Sequence, residues 1–142
     1  MRREREQLRS LAEADIALRV RYAECDPMNV AHHAAYPVWL EIARTDLLRQ
    51  QGLTYKGVEA AGIYIVVAEL NIRYRKPAFY DDALRVHVRL LESAGVRIEH
   101  DYGIYRDQDL LAQARTTLVC VDRTGRPCVP PAGILPAAPP AG

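Results

Sequence analysis

The 142-residue sequence predicts an α+β fold, in which one long helix packs against one face of an antiparallel sheet. Three observations lead to this prediction. One segment with strand-like alternation comes first, one long segment with helical periodicity follows, and four further strand-like segments complete the pattern. Short turns rich in Asp, Gly and Ser separate the last strands, and connections of this length join antiparallel neighbours.

We expect three parts in the chain: a charged N-terminal arm over residues 1–15, a folded domain over 16–126 and a proline-rich tail over 127–142. The domain opens with a strand, because apolar and polar residues alternate with period two from Ile16 to Tyr22. Proline fixes φ and lacks an N–H group, so we expect the tail to be extended and loosely held. The domain has the length of one ordinary folding unit.

The long helix is predicted over residues 34–51. Apolar residues recur there at spacings of three and four, which gives an amphipathic helix its buried stripe. These residues are Tyr36, Trp39, Leu40, Ala43, Leu47 and Leu48. Pro37 suits the first turn, where an N–H group has no partner to lose, and Gly52 provides the stop.

The remaining strands are predicted over residues 63–75, 84–90, 96–106 and 110–121. Most of them alternate, so that one face packs under the helix and the other meets solvent. Residues 63–68 differ, because they are apolar on both faces and require burial on both sides. A single helix covers only one face of a sheet. We therefore predict at least a homodimer, in which a second copy packs on this strand.

The composition restricts the classes of function. A formal net charge of +1 argues against binding to nucleic acid. No apolar stretch approaches the roughly 20 residues that cross a bilayer, so no membrane span is expected. Three cysteines form no disulfide framework, which favours a reducing, cytoplasmic location.

The segment just before the helix contains residues that could carry chemistry. Asp26 lies in a turn-rich stretch eight residues before the helix, and its carboxylate is ionised at pH 7. The start of a helix offers unpaired N–H groups and partial positive charge, which can stabilise an oxyanion. A carboxylate beside such a site can attack an activated carbonyl, such as a thioester, or take a proton from water. An Asp–Pro turn that only caps the helix explains the same residues, so both interpretations stay open.

Two separated motifs point to a known family. The first is RYAECDP over residues 21–27, followed by HAAY over 33–36, and the second is LNIRYRKPAFYDD over 70–82. Together they resemble the hot-dog-fold thioesterases, most closely the branch of 4-hydroxybenzoyl-CoA thioesterase and the Tol–Pal-associated acyl-CoA thioesterases. The resemblance covers about residues 16–122. It implies a hot-dog fold, in which a long central helix packs against a curved antiparallel sheet of about five strands.

The resemblance also implies roles for individual residues. Asp26 matches the catalytic carboxylate, acting as nucleophile or as base for water, and the backbone N–H of His33 matches the oxyanion donor. Tyr36 matches an aromatic position three residues later. The family usually has Gly in the turn after the Asp; Asn29 can stand in for it, because Asn tolerates left-handed φ. We expect Met28 to narrow or reshape the acyl pocket.

The implied substrate is an acyl-CoA or an acyl group on acyl carrier protein. Coenzyme A is then part of the substrate, and no metal or other cofactor is implied. In the family's dimers, or dimers of dimers, the site lies between subunits, so Tyr64, Ile65 and Val66 of the partner subunit would line it. Coenzyme A carries three phosphate groups, and Arg75 and Lys76 at a strand end are the expected contacts.

Two other functions on the same fold stay open: a hydratase or dehydratase, which would use a His with an Asp or Glu, and a non-catalytic acyl-binding protein. A metal site at Cys25, Asp26, His32 and His33 lacks the usual ligand spacing. Cys25 has no evident neighbouring base that would make it a nucleophile. His100 is expected to be a core histidine with satisfied hydrogen bonds.

Overall fold

Five antiparallel strands form one sheet, and a helix of 16 residues packs across one face of it, as the sequence predicts. The computed structural model describes residues 8–93 and 95–135. The strands are β1 (Ser10–Arg19), β2 (Tyr64–Tyr74), β3 (Ala83–Leu91), β4 (Arg97–Arg106) and β5 (Asp109–Val121). The helices are α1 (Ala35–Gln50) and α2 (Tyr55–Ala60), and a 3-10 turn over Tyr22–Glu24 precedes α1.

Helix α1 buries the stripe that its spacing predicts. All six predicted apolar residues are buried in the core between the helix and the sheet: Tyr36, Trp39, Leu40, Ala43, Leu47 and Leu48. Gly52 adopts a φ of 85°, a left-handed conformation that ends a helix at little cost for glycine. At about 1.5 Å per residue the helix is about 24 Å long. That length is enough to cross all five strands.

The strand order is β1-β3-β4-β5-β2, so β1 and β2 are the two edges of the sheet. The alternation in β3 is as predicted, because Leu84, Val86, Val88 and Leu90 are buried on the helix side. Ion pairs line the opposite face. Arg85 lies 2.8 Å from the carboxylate of Asp15 on β1, and Arg89 pairs with Asp101 on β4.

Strand β2 exposes apolar side chains along an edge that no strand of the described residues covers. Val67 is 52 % exposed and Leu70 is 43 % exposed. The register of β2 against β5 shifts at Ala68, between Val67 and Glu69, and such a bulge bends a strand. Helix α1 likewise exposes Val38 and Ile42. An apolar edge of this length needs a cover, which is the basis of the dimer prediction.

The folded part extends further at both ends than the sequence predicts. Strand β1 begins at Ser10, although we expected the domain to start at residue 16. At the other end, Ile134 is buried in the core, and the side-chain amide of Gln51 donates to its carbonyl at 2.8 Å. The described part of the proline-rich tail therefore packs against the end of α1 instead of hanging loosely. The rest of the arm and tail lies outside the described residues.

Two local elements also differ from the prediction. Tyr22 belongs to the 3-10 turn and is exposed, although the alternation from Ile16 assigned it to the buried side of the first strand. Helix α2 was not expected, because six residues including Gly57 are too short to show a helical period. Its start is capped by Thr54, whose hydroxyl accepts from the Gly57 N–H at 3.0 Å. Among the described residues, no helix has the length and apolar character to cross a membrane.

Candidate active site

A buried carboxylate ties the loop before α1 to the helix itself. Glu24 accepts a hydrogen bond from the indole N–H of Trp39 at 2.8 Å and from the backbone N–H of Arg21 at 2.8 Å. Burial alone raises the pKa of Glu24, but the hydrogen bonds from Arg21 and Trp39 outweigh it and hold the pKa below its usual range. Glu24 is therefore ionised at neutral pH, and it fixes α1 relative to the loop.

The carboxylate of Asp26 shapes the loop with one oxygen and leaves the other available. Oδ1 accepts from the backbone N–H groups of Met28 at 2.9 Å and Val30 at 3.1 Å. Oδ2 has no hydrogen-bond partner within the part of the chain that the structure describes. Asn29 has a φ of 64°, the left-handed conformation expected of a residue that replaces Gly. Asp26 is thus a turn-forming residue that still presents a free oxygen.

Backbone hydrogen bonds attach the rest of the loop to two neighbouring segments. The N–H of Ala31 donates to the carbonyl of Ala78 at 2.8 Å, in the segment that joins β2 to β3. The N–H of His32 donates to the carbonyl of Glu24 at 2.7 Å. Together these bonds fix the path of the chain as it enters α1.

Two backbone N–H groups at the start of α1 have no acceptor in the described part of the chain. The N–H groups of Ala35 and Tyr36 turn back to the carbonyls of His32 and His33, at 3.0 and 3.4 Å. Those of His33 and Ala34 make no hydrogen bond to any described residue. They lie where the helix dipole places its partial positive charge, so this position suits a negatively charged oxygen.

An aromatic cluster orients the peptide that bears one of these free groups. The hydroxyl of Tyr74, at the end of β2, donates to the carbonyl of His33 at 3.1 Å. This carbonyl and the Ala34 N–H belong to the same peptide plane. The Tyr74 ring packs edge-on against Tyr36, with 4.8 Å between ring centroids, and Tyr36 packs on Trp39 at 4.6 Å.

An open cleft of ≈ 260 Å³ lies beside the start of α1. Its walls are Ala31, His33, Tyr36, Tyr74, Arg75, Lys76 and Pro77. Four residues predicted for the site, His33, Tyr36, Arg75 and Lys76, therefore come together. Asp26 does not line the cleft in a single copy; its loop reaches the wall through Ala31.

The two cations on the cleft wall differ in their surroundings. The Lys76 ammonium lies 3.0 Å from the carboxylate of Asp109. Arg75 is exposed and forms no ion pair with the residues that the structure describes. Its guanidinium is therefore the freer of the two for an anionic group of a ligand.

Comparison with known proteins gives the family. The sequence model of the thioesterase-like superfamily matches residues 20–138 of the chain. The chain belongs to the thioesterase-like superfamily. It is 36% identical to YneP of Bacillus subtilis over 107 residues, which is 75% of this chain and 78% of YneP. It is 30% identical over 106 residues to the acyl-CoA thioester hydrolase YbgC of Escherichia coli, covering 74% of this chain and 79% of YbgC.

A solved structure of the same fold agrees with this assignment. The DHNA-CoA thioesterase from Staphylococcus aureus superimposes with a TM-score of 0.79 and 30% identity, over 82% of this chain and 80% of that chain. The five-stranded sheet and long helix are thus the hot-dog fold of the thioesterases. The predicted fold class and family are both confirmed.

Three residues that the sequence predicts for the site lie away from the cleft within one copy of the chain. Tyr64, Ile65 and Val66 begin β2, whereas the cleft is at its other end, where Tyr74 lies. Ile65 instead lines a small interior cavity under α1. Their expected place is in the partner subunit's contribution to the site, which stays a prediction.

The other candidate nucleophile, Cys25, does not suit that role. Burial and the nearby charges of Glu24 and Asp26 raise the pKa of its thiol, so the thiolate is scarce at neutral pH. Among the described residues, no three His, Cys, Asp or Glu side chains form a cluster that could hold a metal ion.

Sequence reasoning missed Glu24 and Tyr74 as residues that organise the site. Glu24 looked like one more polar residue of a turn, because its partner Trp39 is 15 residues away. Tyr74 showed a weak signal, since it is an aromatic residue near the predicted strand end. His100 is buried as predicted, but its Nδ1 has no hydrogen-bond partner among the described residues, contrary to the expected satisfied histidine.

Proposed function

We propose that this chain hydrolyses acyl-CoA thioesters to a free acid and coenzyme A. The observation that carries the proposal is the pair of free N–H groups of His33 and Ala34 at the helix start, where His33 lines an open cleft. The Asp26 carboxylate on the adjoining loop adds a free oxygen. Membership of the thioesterase-like superfamily and the name of YbgC support the same activity.

In the proposed reaction the thioester carbonyl oxygen accepts hydrogen bonds from the His33 and Ala34 N–H groups. Both bonds strengthen as the oxygen becomes negative, so they lower the barrier more than they stabilise the substrate. Tyr74 holds the peptide that carries the Ala34 N–H in place.

Asp26 is proposed as the group that starts the attack. As a base, it takes a proton from water while the water oxygen bonds to the carbonyl carbon. The C–S bond then breaks, and the thiolate of coenzyme A leaves and is protonated. As a nucleophile, Asp26 would instead form a mixed anhydride that water hydrolyses, and the products are the same.

A second copy is proposed to complete the site. If two β2 strands pair antiparallel about their middle residue, Glu69, the partner subunit's Tyr64 lies opposite Tyr74 and so beside the cleft. This pairing covers the exposed Val67 and Leu70 and agrees with the preference of oligomers for two-fold symmetry. A dimer, or a dimer of dimers, is therefore the proposed active form.

Coenzyme A is the proposed carrier, and Arg75 is the proposed contact for its phosphates, with Lys76 beside it. The support is that Arg75 is unpaired at the cleft, whereas Lys76 is already near Asp109. We propose no metal or further cofactor, because the proposed steps use only a carboxylate and backbone N–H groups. A cytoplasmic location follows as a proposal from three free cysteines and from the use of coenzyme A.

The direct test measures coenzyme A release from a panel of acyl-CoAs by wild type and Asp26→Asn. Asn keeps the oxygen that accepts from Met28 and Val30 but cannot take a proton, so we expect kcat to fall about 10²- to 10⁴-fold. Unchanged melting of the variant shows that the loop is intact. Equal rates for the two proteins would refute the proposal.

The same panel separates the alternatives. Hydration of an enoyl-CoA without coenzyme A release would identify a hydratase. Tight acyl-CoA binding without turnover would identify a binding protein. Acyl groups on acyl carrier protein, assayed beside the matching acyl-CoA, decide between the two carriers.

A further inference from the structure

A buried cation under the middle of α1 has no anionic partner in the described structure. Arg44 is only 9 % exposed, and its Nε has no hydrogen-bond partner in residues 8–93 and 95–135. The hydroxyls of Tyr55 and Tyr102 lie against its guanidinium. Burial raises the pKa of both tyrosines, so both are neutral phenols at pH 7 and do not neutralise the charge.

The buried carboxylates of the described residues are already used elsewhere. Glu24 binds Arg21 and Trp39. Glu99 is paired in register with Thr117 and follows Ile98 in β4, so it lies on the face of the sheet away from α1. A buried charge without a counter-charge is expensive, and two neutral tyrosine hydroxyls do not supply one, so Arg44 is a candidate ligand site.

A second polar side chain points into the same place without a partner. His100 on β4 is 6 % exposed, and its Nδ1 makes no hydrogen bond to any residue that the structure describes. Arg44, Tyr55 and His100 line one interior cavity, with apolar walls that include Ile65 and Ile134. The cavity volume is only ≈ 10 Å³, so it holds about one small polar group.

The distance along α1 from the free N–H groups to Arg44 gives the length of acyl chain that could reach both. Arg44 is ten residues after Ala34 on α1, which corresponds to about 15 Å along the axis. An extended hydrocarbon advances about 1.25 Å per C–C bond of 1.52 Å, so roughly 12 carbons span that distance. Val67 and Leu70 of β2 pair in register with the buried Leu118 and Thr116, so these two exposed apolar side chains lie on the helix side of the sheet, along the path that such a chain would take.

We propose that Arg44 and His100 form a terminal subsite for an acyl chain of roughly 12 carbons that ends in a carboxylate. The proposal rests on the proposed function, since it names the substrate class of the same site. The distal carboxylate pairs with the Arg44 guanidinium and accepts from the tautomer of His100 that carries a proton on Nδ1. Ile134, in a segment held by Gln51, is the wall that moves outward when the carboxylate enters.

The test compares two substrates of equal length: dodecanoyl-CoA and the mono-CoA thioester of dodecanedioic acid. Wild type should have a kcat/KM at least about tenfold higher for the dicarboxylic substrate, because a plain methyl end leaves buried polar groups unpaired. In a series of 8 to 16 carbons the preference should peak near 12. Equal rates, preference for dodecanoyl-CoA, or best turnover of a short aromatic acyl group would overturn the terminal subsite.

Variants on α1 show whether Arg44 causes the preference for the dicarboxylic substrate. Arg44→Met should remove the preference, Arg44→Lys should keep part of it, and the matched control Arg49→Met should leave it unchanged. Arg49 is an exposed residue of the same helix, paired with Asp46. A folded Arg44→Met that keeps the wild-type ratio would assign Arg44 a structural role only. If Arg44→Met does not fold, the wild-type substrate pair decides.

A binding measurement separates this proposal from the proposed activity. Free dodecanedioate should raise the melting temperature of wild type more than dodecanoate does, and Arg44→Met should lose that difference. If no acyl-CoA is hydrolysed but dodecanedioate stabilises the protein through Arg44, the proposed function fails and the subsite stands. If acyl-CoAs are hydrolysed without either effect, the subsite fails alone.

Discussion

His100 remains neutral in the core because a charged imidazole there would be buried close to the guanidinium of Arg44. Burial, and then the Arg44 charge, lower the pKa of His100 from 6.5 to about 3. In the unfolded chain the same imidazole takes up a proton near pH 6.5. Between these two values the unfolded state binds more protons than the folded state, so acid favours unfolding.

We therefore expect the free energy of unfolding to fall as the pH drops below about 6.5, by up to about 1.4 kcal/mol per pH unit from this residue. Urea denaturation at a series of pH values measures the slope. His100→Leu should flatten it, and the exposed control His32→Gln should not. A His100→Leu protein with the wild-type slope would contradict this account.

The hydrogen bond between the loop and α1 places the free N–H groups next to the cleft. Trp39 lies in the second turn of α1, and its indole N–H donates to the ionised Glu24 of the loop. The same Glu24 accepts the His32 N–H through its carbonyl. Glu24 thus binds both α1, through Trp39, and the loop residue just before α1, through His32. A shift of α1 would therefore displace the free N–H groups from the cleft.

Trp39→Phe should lower the free energy of unfolding by about 2–4 kcal/mol, since it removes a hydrogen bond to a buried charge and part of a packed ring. We also expect kcat to fall more than KM rises. Thermal and urea melts, with kinetics on one acyl-CoA, measure both. Glu24→Gln combined with Trp39→Phe should be less than additive, and full additivity would show that the pair is not coupled.

The sequence predicts the long elements well and the short or long-range features poorly. Helix α1 and the alternation of β3 follow from the period of their apolar residues, and their bounds agree within about two residues. Asp26 and the start of α1 were recognisable because turn residues and helix starts have local signals. The Glu24–Trp39 bond and the burial of Arg44 and Ile134 depend on which elements meet in three dimensions, which no local pattern contains.

At the scale of the whole molecule, the exposed apolar edge of β2 indicates whether the chain is stable as a single copy or needs a second copy to cover it. The strand is 11 residues long and presents apolar side chains at an edge where the described part of its own copy places no strand. Soluble proteins usually protect such edges, and pairing with a second copy is the simplest protection.

Val67→Lys should convert the proposed dimer to a monomer at micromolar concentration, because it introduces a charge into the paired edge. Light scattering gives the mass. Activity should fall at least about tenfold in the monomer, since the site lies between copies in the proposal. Ala17→Lys, on the other edge strand β1, is the matched control and should remain a dimer. A wild-type monomer would refute the oligomer proposal outright.

The strand order also has a consequence for how the chain is made. Strand β2 is the second strand in sequence, yet its neighbour in the sheet is β5, the last one. The ribosome must add the 34 residues between Tyr74 and Asp109 before that neighbour begins to appear, which takes about 2–7 s at 5–20 residues per second. Throughout that interval the apolar strand lacks its neighbour in the sheet, and an unpaired apolar strand is exposed to aggregation.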